Sequence, residues 1–472
     1  MKAFRTRFIP LFYKRGILVT RDRDFYRTIF KIAIPSAFQS LITLLVVLVD
    51  NMMVSHLGGG ENSFALAAVS QVNSITAFYT ATLMGLVGGS AVLISQYWGK
   101  RDMERIKRVF SIVMMICVSL SVLVVLAARL FPTQILSLVI KRTEADVFPL
   151  AQKYFALVCL SYLPYALSNS LVGMLKSVEV VRVTLYIAIV SLFTNIFFNY
   201  VLIFGHFGFP ALGVEGAAIA TIIARVVEMI VVWFYTFRVQ KQLDIRPRDL
   251  IRADRSLLKD YAHYGLPVGV VDMQWSFIGM LKAAIIGQLG SSFMAAVNIA
   301  DSMMQLGTLF TFALAGGACV VVGKTVGAGH IDKAKEYSVT IQIMFAVLGV
   351  VMAALVILLR APFISLYGPG AEEASLATTM IVLGAITMIG TSYHAACFVG
   401  INRGAGDSRF VAMVDMICGW LVVLPCTLLA AFVLKLPLPY VYLATRIDQC
   451  FKWIIAFKRL RTDKWIHNVT QA

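Results

Sequence analysis

The chain has 472 residues, of which 59% are hydrophobic and only 14% are charged, and its mean hydropathy is +0.81. Soluble domains are about half apolar and about a quarter charged, so this composition excludes an ordinary soluble protein. The formal net charge of +17 would suit a nucleic-acid partner, but the basic residues lie mainly between apolar runs, so we expect no nucleic-acid partner.

The apolar residues come in runs close to the about 20 residues that cross a hydrocarbon core of about 30 Å. Inside that core the backbone must satisfy its own hydrogen bonds, so each run is predicted to be a helix. The predicted fold class is an all-α integral membrane protein with twelve transmembrane helices in two pseudo-symmetric six-helix bundles. The spans are residues 29–54, 64–97, 108–130, 149–173, 182–205, 213–237, 262–288, 293–323, 338–360, 374–400, 409–432 and 437–458.

A basic linker, residues 238–259, separates the two predicted bundles, residues 29–237 and 260–460. Residues 1–28 and 461–472 are expected to be cytoplasmic tails. With both termini in the cytoplasm, most of the 42 Lys and Arg residues face the cytoplasm. The loops on the other side hold only Arg129, Lys141, Arg142, Arg360 and Lys435. This positive-inside bias predicts a multi-pass protein of an inner or plasma membrane.

The two halves repeat each other in sequence. Matching pieces at near-constant spacing are Pro35 and Pro267, Leu57-Gly58 and Leu289-Gly290, Gly88-Gly89 and Gly316-Gly317, Gly99 and Gly327, Lys176 and Arg403, and Arg182 and Arg409. Each half has an even number of spans, so the repeats are expected to be parallel, related by an axis along the membrane normal. Two bundles that meet at a central cleft are typical of alternating-access transporters, although duplication for stability alone is the other interpretation.

Four sequence elements resemble the multidrug and toxic compound extrusion (MATE) family. They are Pro35 followed by Val49-Asp50-Asn51-Met52-Met53, then Ser95-Gln96-Tyr97-Trp98-Gly99, Leu212-Gly213-Val214-Glu215-Gly216-Ala217-Ala218-Ile219-Ala220-Thr221, and Gly404-Ala405-Gly406-Asp407-Ser408-Arg409. The resemblance implies an antiporter, not an enzyme, that exports small organic, often cationic, compounds in exchange for H⁺ or Na⁺. We expect no cofactor besides that coupling ion.

Asp50 is the candidate coupling residue, because a carboxylate in a bilayer costs about 2.5–3.5 kcal/mol on insertion scales. It lies about 12 Å of helix before Gly58, at 1.5 Å per residue. Asn195 and Asn199 on span 5 lie about 15 and about 9 Å before Gly205 by the same rise. They are one turn apart, so the two amides share a face at the depth of Asp50.

Two kinds of ion would suit this group of residues. Carboxylate and amide oxygens are ligands that Na⁺ accepts, and this is the only metal ion we expect. Alternatively, Asp50 carries a proton, since removal from water favours the neutral carboxyl group. A third interpretation makes Asp50 a satisfied buried hydrogen-bonding group or a helix-end charge. The resemblance implies that MATE relatives have a carboxylate matching Asp50, and some branches have an aspartate where Asn199 stands here.

In the second half, Lys282 occupies the repeat position of Asp50, and Asp301 lies at a similar depth. An ion pair between them is the expected arrangement, although a cationic substrate or a proton could compete with Lys282 for Asp301. Asp272 could face the cleft, whereas Asp415 is expected near the interface. Other MATE branches carry acids on spans 7 and 10, but span 10 has only His394 here.

The remaining polar and aromatic candidates are assigned less specifically. Arg225 and Glu228 are three apart and are predicted to form a structural ion pair. Tyr79 and Trp275 could line an adaptable substrate cavity, although packing is the commoner role of such side chains. Arg446 and Asp448 are two apart and would not face each other.

Other functional classes are disfavoured by particular residues. Gly323-Lys324-Thr325 suggests a P-loop, but five residues separate Gly317 from Gly323 where the motif needs four, so we expect no nucleotide partner. A membrane-embedded enzyme would cluster its histidines, whereas the six here are dispersed without metal-ligand spacing. A lipid-linked precursor flippase of the same broad fold remains the alternative, and it would be expected to have a strongly cationic cavity.

Overall fold

The computed structural model describes residues 19–55, 62–137, 139–140, 147–241, 243–251 and 254–470. Within these ranges the regular structure is helical throughout, with no β-strand, and eleven helices are long and apolar enough to cross a membrane. They are α1 (Arg23–Ser55), α2 (Asn62–Lys100), α3 (Met103–Leu130), α4 (Val147–Ser177), α5 (Arg182–Phe204), α6 (Gly213–Val239), α7 (Arg255–Gly287), α8 (Ser291–Gly327), α9 (Ile331–Ser365), α10 (Ala371–Asn402) and α11 (Ser408–Val433). The predicted all-α membrane fold is confirmed.

Several helices extend past the apolar runs from which they were predicted. For example, α9 begins at Ile331, whereas its apolar run begins at residue 338. Backbone hydrogen bonding continues into the polar ends of a helix, so hydropathy alone underestimates helix length.

The twelfth span, predicted over residues 437–458, is divided into two short helices. They are α12 (Leu438–Ala444) and α13 (Lys452–Leu460), joined by a segment that includes the short 3₁₀ turn Ile447–Cys450. The charged residues Arg446 and Asp448 lie in this break.

Large apolar side chains are exposed on the outward faces of many helices. Leu123 is 65% exposed, Phe193 66% and Leu358 72%. A protein surface this apolar is stable where another apolar phase covers it, as the lipid tails do for a membrane helix. The chain is therefore a multi-pass membrane protein by helix length and by surface composition.

Contacts between Cα atoms divide the chain into two compact units. The first unit contains Phe38–Ser90 and Met103–Lys259, and the second contains Met1–Ala37, Ala91–Asp102 and Asp260–Ala472. These units differ from the predicted bundles at the first two helices, because α1 and α2 each contribute one part to each unit. The predicted transport bundles therefore remain a prediction.

Within the first unit, the sharp connection between α5 and α6 fixes how α5 is oriented. Gly205 and Gly213 adopt positive φ values of 75° and 53°, and Leu212 N donates to Leu202 O at 2.9 Å. A Cβ atom on Gly216 would lie 2.5 Å from Leu202 O, so glycine is needed where α6 packs on the end of α5. This contact holds the polar face of α5 in a defined direction.

Within the second unit, the end of α2 crosses α8 at very short range. A Cβ atom on Gly99 would lie 2.0 Å from Lys324 O, and one on Gly327 would lie 2.0 Å from Gln96 O. Gly99 corresponds to Gly327 in the sequence repeat, and Gln96 corresponds to Lys324 by the same spacing. The crossing is therefore symmetric, and it gives the repeated glycines a packing role.

The described end of the predicted C-terminal tail packs against this crossing. Buried Gln96 donates from Nε2 to His467 O at 3.1 Å and accepts from Val469 N at 2.9 Å. Lys100 Nζ donates to Thr470 O at 2.8 Å. These residues are thus part of the second unit and not a free tail.

The segment that precedes α1 is attached to α9. The Tyr337 hydroxyl donates to Asp22 Oδ2 at 2.6 Å, and Thr20 N donates to Thr340 Oγ1 at 2.9 Å. The Tyr337 hydroxyl lowers the pKa of Asp22 below its ordinary value of 3.8, although partial burial opposes this, and the charge of Lys333 adds to the lowering.

We expect Tyr337→Phe to destabilise the protein at neutral pH by up to about 2 kcal/mol, because hydrogen bonds to charged groups contribute about 1.5–3 kcal/mol. The folded-state pKa of Asp22 is the lower one, so this contribution is complete above the unfolded pKa and is lost as the pH falls through the folded pKa. Thermal unfolding in detergent should therefore separate wild type from Tyr337→Phe at pH about 7 and less so below pH about 4. A difference that does not change with pH would contradict this role of Asp22.

Candidate functional site

The first unit brings Asp50, Asn195 and Asn199 together. Asn199 Nδ2 donates to Asp50 Oδ1 and also to Asn195 Oδ1, the latter at 3.2 Å. Both asparagines are fully buried, while Asp50 is half-buried. The shared face of α5 and the matched depth on α1 that the sequence predicted thus produce a direct contact.

The hydrogen bonds leave this group with unused acceptor capacity. Asn199 has two N–H groups, and the two bonds to Asp50 and Asn195 use both of them. Its own Oδ1 is buried without a hydrogen-bond partner. Among the described residues, no Lys, Arg or His nitrogen lies within 4.0 Å of an Asp50 carboxylate oxygen. A carboxylate and an unpaired amide oxygen, with no basic side chain in direct contact, form an arrangement that can accept a small positive ion.

A neighbouring ion pair on α6 explains why Asp50 forms no direct ion pair with a basic side chain. Arg225 Nη1 donates to Glu228 Oε2 at 2.6 Å, which confirms the predicted pair. Glu228 also accepts from Ser168 and Ser191, each at 3.3 Å. Since Arg225 makes its direct contact with Glu228, its charge acts on Asp50 only at longer range, and the direct hydrogen bond to the Asp50 carboxylate comes from an amide donor.

Tyr79 lies in the core of the first unit. It is 4% exposed, its hydroxyl donates to Tyr162 O at 2.8 Å, and its ring stacks on that of Tyr162 at 4.2 Å between centroids. Ser121 Oγ also lies 2.7 Å from the hydroxyl. These contacts favour the packing role for Tyr79, which was the commoner of the two roles considered for it.

In the second unit, the predicted ion pair between Lys282 and Asp301 is wrong. Asp301 Oδ1 accepts from Arg446 Nη2 at 2.7 Å and from the Tyr442 hydroxyl at 3.1 Å. Lys282 Nζ donates instead to Thr445 O at 3.5 Å. The break between α12 and α13 places Arg446 next to Asp301. Span 12 was predicted as one continuous helix, which gave no indication of this contact.

The other two candidates on α7 also have partners within the second unit. Asp272 Oδ1 accepts from Arg403 Nη2 at 3.2 Å. The ring of Trp275 lies under Lys452 Nζ, which is 4.6 Å from the ring centroid. Both contacts give these residues a structural explanation that does not require substrate.

The second unit also contains a buried charge cluster that was not predicted from the sequence. Lys452 is 2% exposed, and its Nζ lies 2.6 Å from Asp415 Oδ1 and 3.1 Å from Asp448 Oδ2. Asp415 is thus buried and paired, which corrects its expected place at the interface. The spacing of Asp448 and Lys452, four residues apart, was the signal available in the sequence.

Comparisons with known proteins agree with this architecture. The sequence profile of the MatE family matches residues 35–201 and 267–429, and the two matches begin at the two prolines that open the repeats. The uncharacterized transporter YisQ of Bacillus subtilis is 24% identical over 94% of this chain and 96% of its own length. The probable multidrug resistance protein NorM of Halalkalibacterium halodurans is 26% identical over 83% of this chain and 85% of its own. A MATE crystal structure in the bent conformation superposes with a TM-score of 0.82 at 20% identity, covering 93% of this chain and 95% of that one.

Proposed function

This chain belongs to the MatE family of transporters, and on that premise we propose that it is an antiporter that exports small organic compounds by alternating access, in exchange for H⁺ or Na⁺. Relatives named as multidrug resistance proteins support the export of organic compounds. Organic cations are the class that the family resemblance implies. We further propose that both termini are cytoplasmic, as the distribution of Lys and Arg predicts.

The observation that carries this proposal is the set of groups that contact the Asp50 carboxylate. Its carboxylate is held by the amide of Asn199, whose own buried oxygen has no partner, and among the described residues no basic side chain forms an ion pair with it. A proton would neutralise Asp50 directly, whereas Na⁺ would take the carboxylate with amide oxygens as further ligands. Either ion would neutralise the charge of this carboxylate.

Coupling requires that this site bind its ion with different affinity in the two access states. An ion that binds both states equally shifts no equilibrium, however tightly it binds. A change in the distance between Asp50 on α1 and Asn199 on α5 would alter the ligand set, so the contact between these helices is the proposed coupling element. A membrane potential of about 100 mV adds about 2.3 kcal/mol for each charge moved.

The proposal is tested by efflux of a fluorescent organic cation from proteoliposomes under separate proton and sodium gradients. We expect transport against the substrate gradient with one of the two ions. An electroneutral one-for-one exchange driven by an about tenfold ion gradient should concentrate the substrate up to about tenfold, since the two free energies are then equal. Substrate that only equilibrates under every gradient would contradict ion coupling.

A further inference from the structure

The second unit contains a cavity of about 420 Å³ between α7, α8 and the break that separates α12 from α13. Its wall includes the charged side chains of Lys282, Asp301 and Arg446, while Met294 and Phe312 supply apolar surface. A volume of this size lies within the range of about 300–1,000 Å³ that is common for small-molecule sites.

The charges on this wall do not balance. Arg446 and the Tyr442 hydroxyl both donate to Asp301, so the one carboxylate on the wall already has its partners. Lys282 donates only to a backbone carbonyl at the long distance of 3.5 Å. Within the described part of the chain, no carboxylate oxygen lies within 4.0 Å of Lys282 Nζ. The cavity therefore carries two cations and one anion.

The sequence repeat relates this excess of positive charge to the site in the first half. Lys282 stands where the first half has Asp50, at the same spacing from the proline that opens each repeat. The first half thus has a carboxylate with no basic side chain in direct contact, and the second half has an ammonium group with no carboxylate in direct contact. The two equivalent positions have opposite chemistry.

We propose that this cavity binds the carboxylate of an organic compound, with Lys282 as its direct contact. A carboxylate would give the partly buried ammonium group a short hydrogen bond to an anion, which its long contact with Thr445 O does not supply. Methionine and phenylalanine on the same wall would contact an apolar or aromatic body. A compound that placed an ammonium group here would meet Lys282 and Arg446 instead. That the bound compound is also the exported one rests on the proposed function.

A matched pair of dyes tests this assignment. A rhodamine with a free carboxylate and its methyl ester share one aromatic body and differ in the anionic group. Fluorescence anisotropy with the full-length protein in phosphatidylcholine nanodiscs should show at least about tenfold tighter binding of the carboxylate dye. Lys282→Met should weaken that binding by about tenfold to a hundredfold and leave the ester within about twofold, because only the charged contact is lost. Lys282→Arg should retain the preference.

A control variant and a change of lipid complete the test. Lys153→Met removes an exposed lysine of the first unit and should change neither dye. Thermal unfolding identifies variants that fail to fold. If Lys282→Met is one of them, Lys282→Gln is used in its place. The proposal is overturned if wild type does not prefer the carboxylate dye, or if Lys282→Met weakens both dyes equally. It is also overturned if phosphatidylglycerol in the nanodiscs abolishes binding, because a lipid headgroup would then be the occupant.

The same dyes separate this proposal from the proposed function. Asp50→Asn should remove the gradient-driven transport of the carboxylate dye, while the preference for that dye over its ester still depends on Lys282. Binding that depends on Lys282 without transport under any gradient would contradict the antiporter proposal alone. Coupled transport of the ester without preference for the carboxylate dye would contradict the Lys282 assignment alone.

Discussion

Asp50→Asn is expected to abolish ion-coupled efflux while leaving a folded protein. Asparagine has nearly the same shape as aspartate and can still bond with Asn199, so packing between α1 and α5 should persist. It can neither carry a proton at neutral pH nor supply a negative charge to Na⁺. Loss of the ionic ligand should reduce gradient-driven transport in proteoliposomes by at least about a hundredfold, which corresponds to about 2.8 kcal/mol.

A matched substitution separates this effect from a general loss of charge. Asp244 is also an aspartate of the first unit, but it is exposed and pairs weakly with Arg246 at 3.4 Å. Asp244→Asn should transport like wild type, since exposed pairs contribute about 0–1 kcal/mol. Equal transport by Asp50→Asn and Asp244→Asn would remove Asp50 from the coupling mechanism.

The largest expected loss of stability follows from Lys452→Met. Lys452 is the shared partner of Asp415 and Asp448, and all three side chains are less than a tenth exposed. Removing one partner of a buried ion pair costs about 3–5 kcal/mol, because it leaves an uncompensated charge in a dry site. Thermal unfolding in detergent should show a large decrease in the midpoint temperature. Because Asp448 lies in the break before α13, that region should lose its structure first.

Two further variants show whether uncompensated charge is the cause. Adding Asp415→Asn and Asp448→Asn to Lys452→Met should restore much of the lost stability, because the amides carry no charge. Lys335→Met breaks a pair with Asp463 of the same 2.6 Å length at the protein surface, and it should cost no more than about 1 kcal/mol. If Lys452→Met and the triple variant were equally unstable, lost packing around Lys452 would explain the effect better than charge.

Most of the fold could be predicted from the sequence because the hydrocarbon core constrains it strongly. An apolar run of about 20 residues must be helical in lipid, and the eleven long helices lie where such runs were found. The break between α12 and α13 was not predictable from hydropathy, because the same residues also fit one continuous span. Polar interactions of Arg446 and Asp448 with other helices accompany that break.

The candidate site was predictable to the extent that it depends on position along a helix. Depth and helical periodicity placed Asn195 and Asn199 opposite Asp50, and these residues do meet. Depth alone failed for Asp301, because Lys282 and Arg446 come from different helices and both line the same cavity as Asp301. Which of two cations reaches a carboxylate depends on the rotation of each helix, and hydropathy does not encode that rotation.

Ion binding is the most direct test of the antiporter proposal, because coupling to either H⁺ or Na⁺ requires that Asp50 and Asn199 hold a small cation. Purified wild-type and Asp50→Asn protein can be titrated by calorimetry with Na⁺, and proton release on substrate addition can be followed in weakly buffered solution. We predict that wild type binds one of the two ions, about one per chain, and that Asp50→Asn binds neither. Undiminished ion binding by Asp50→Asn would contradict the account.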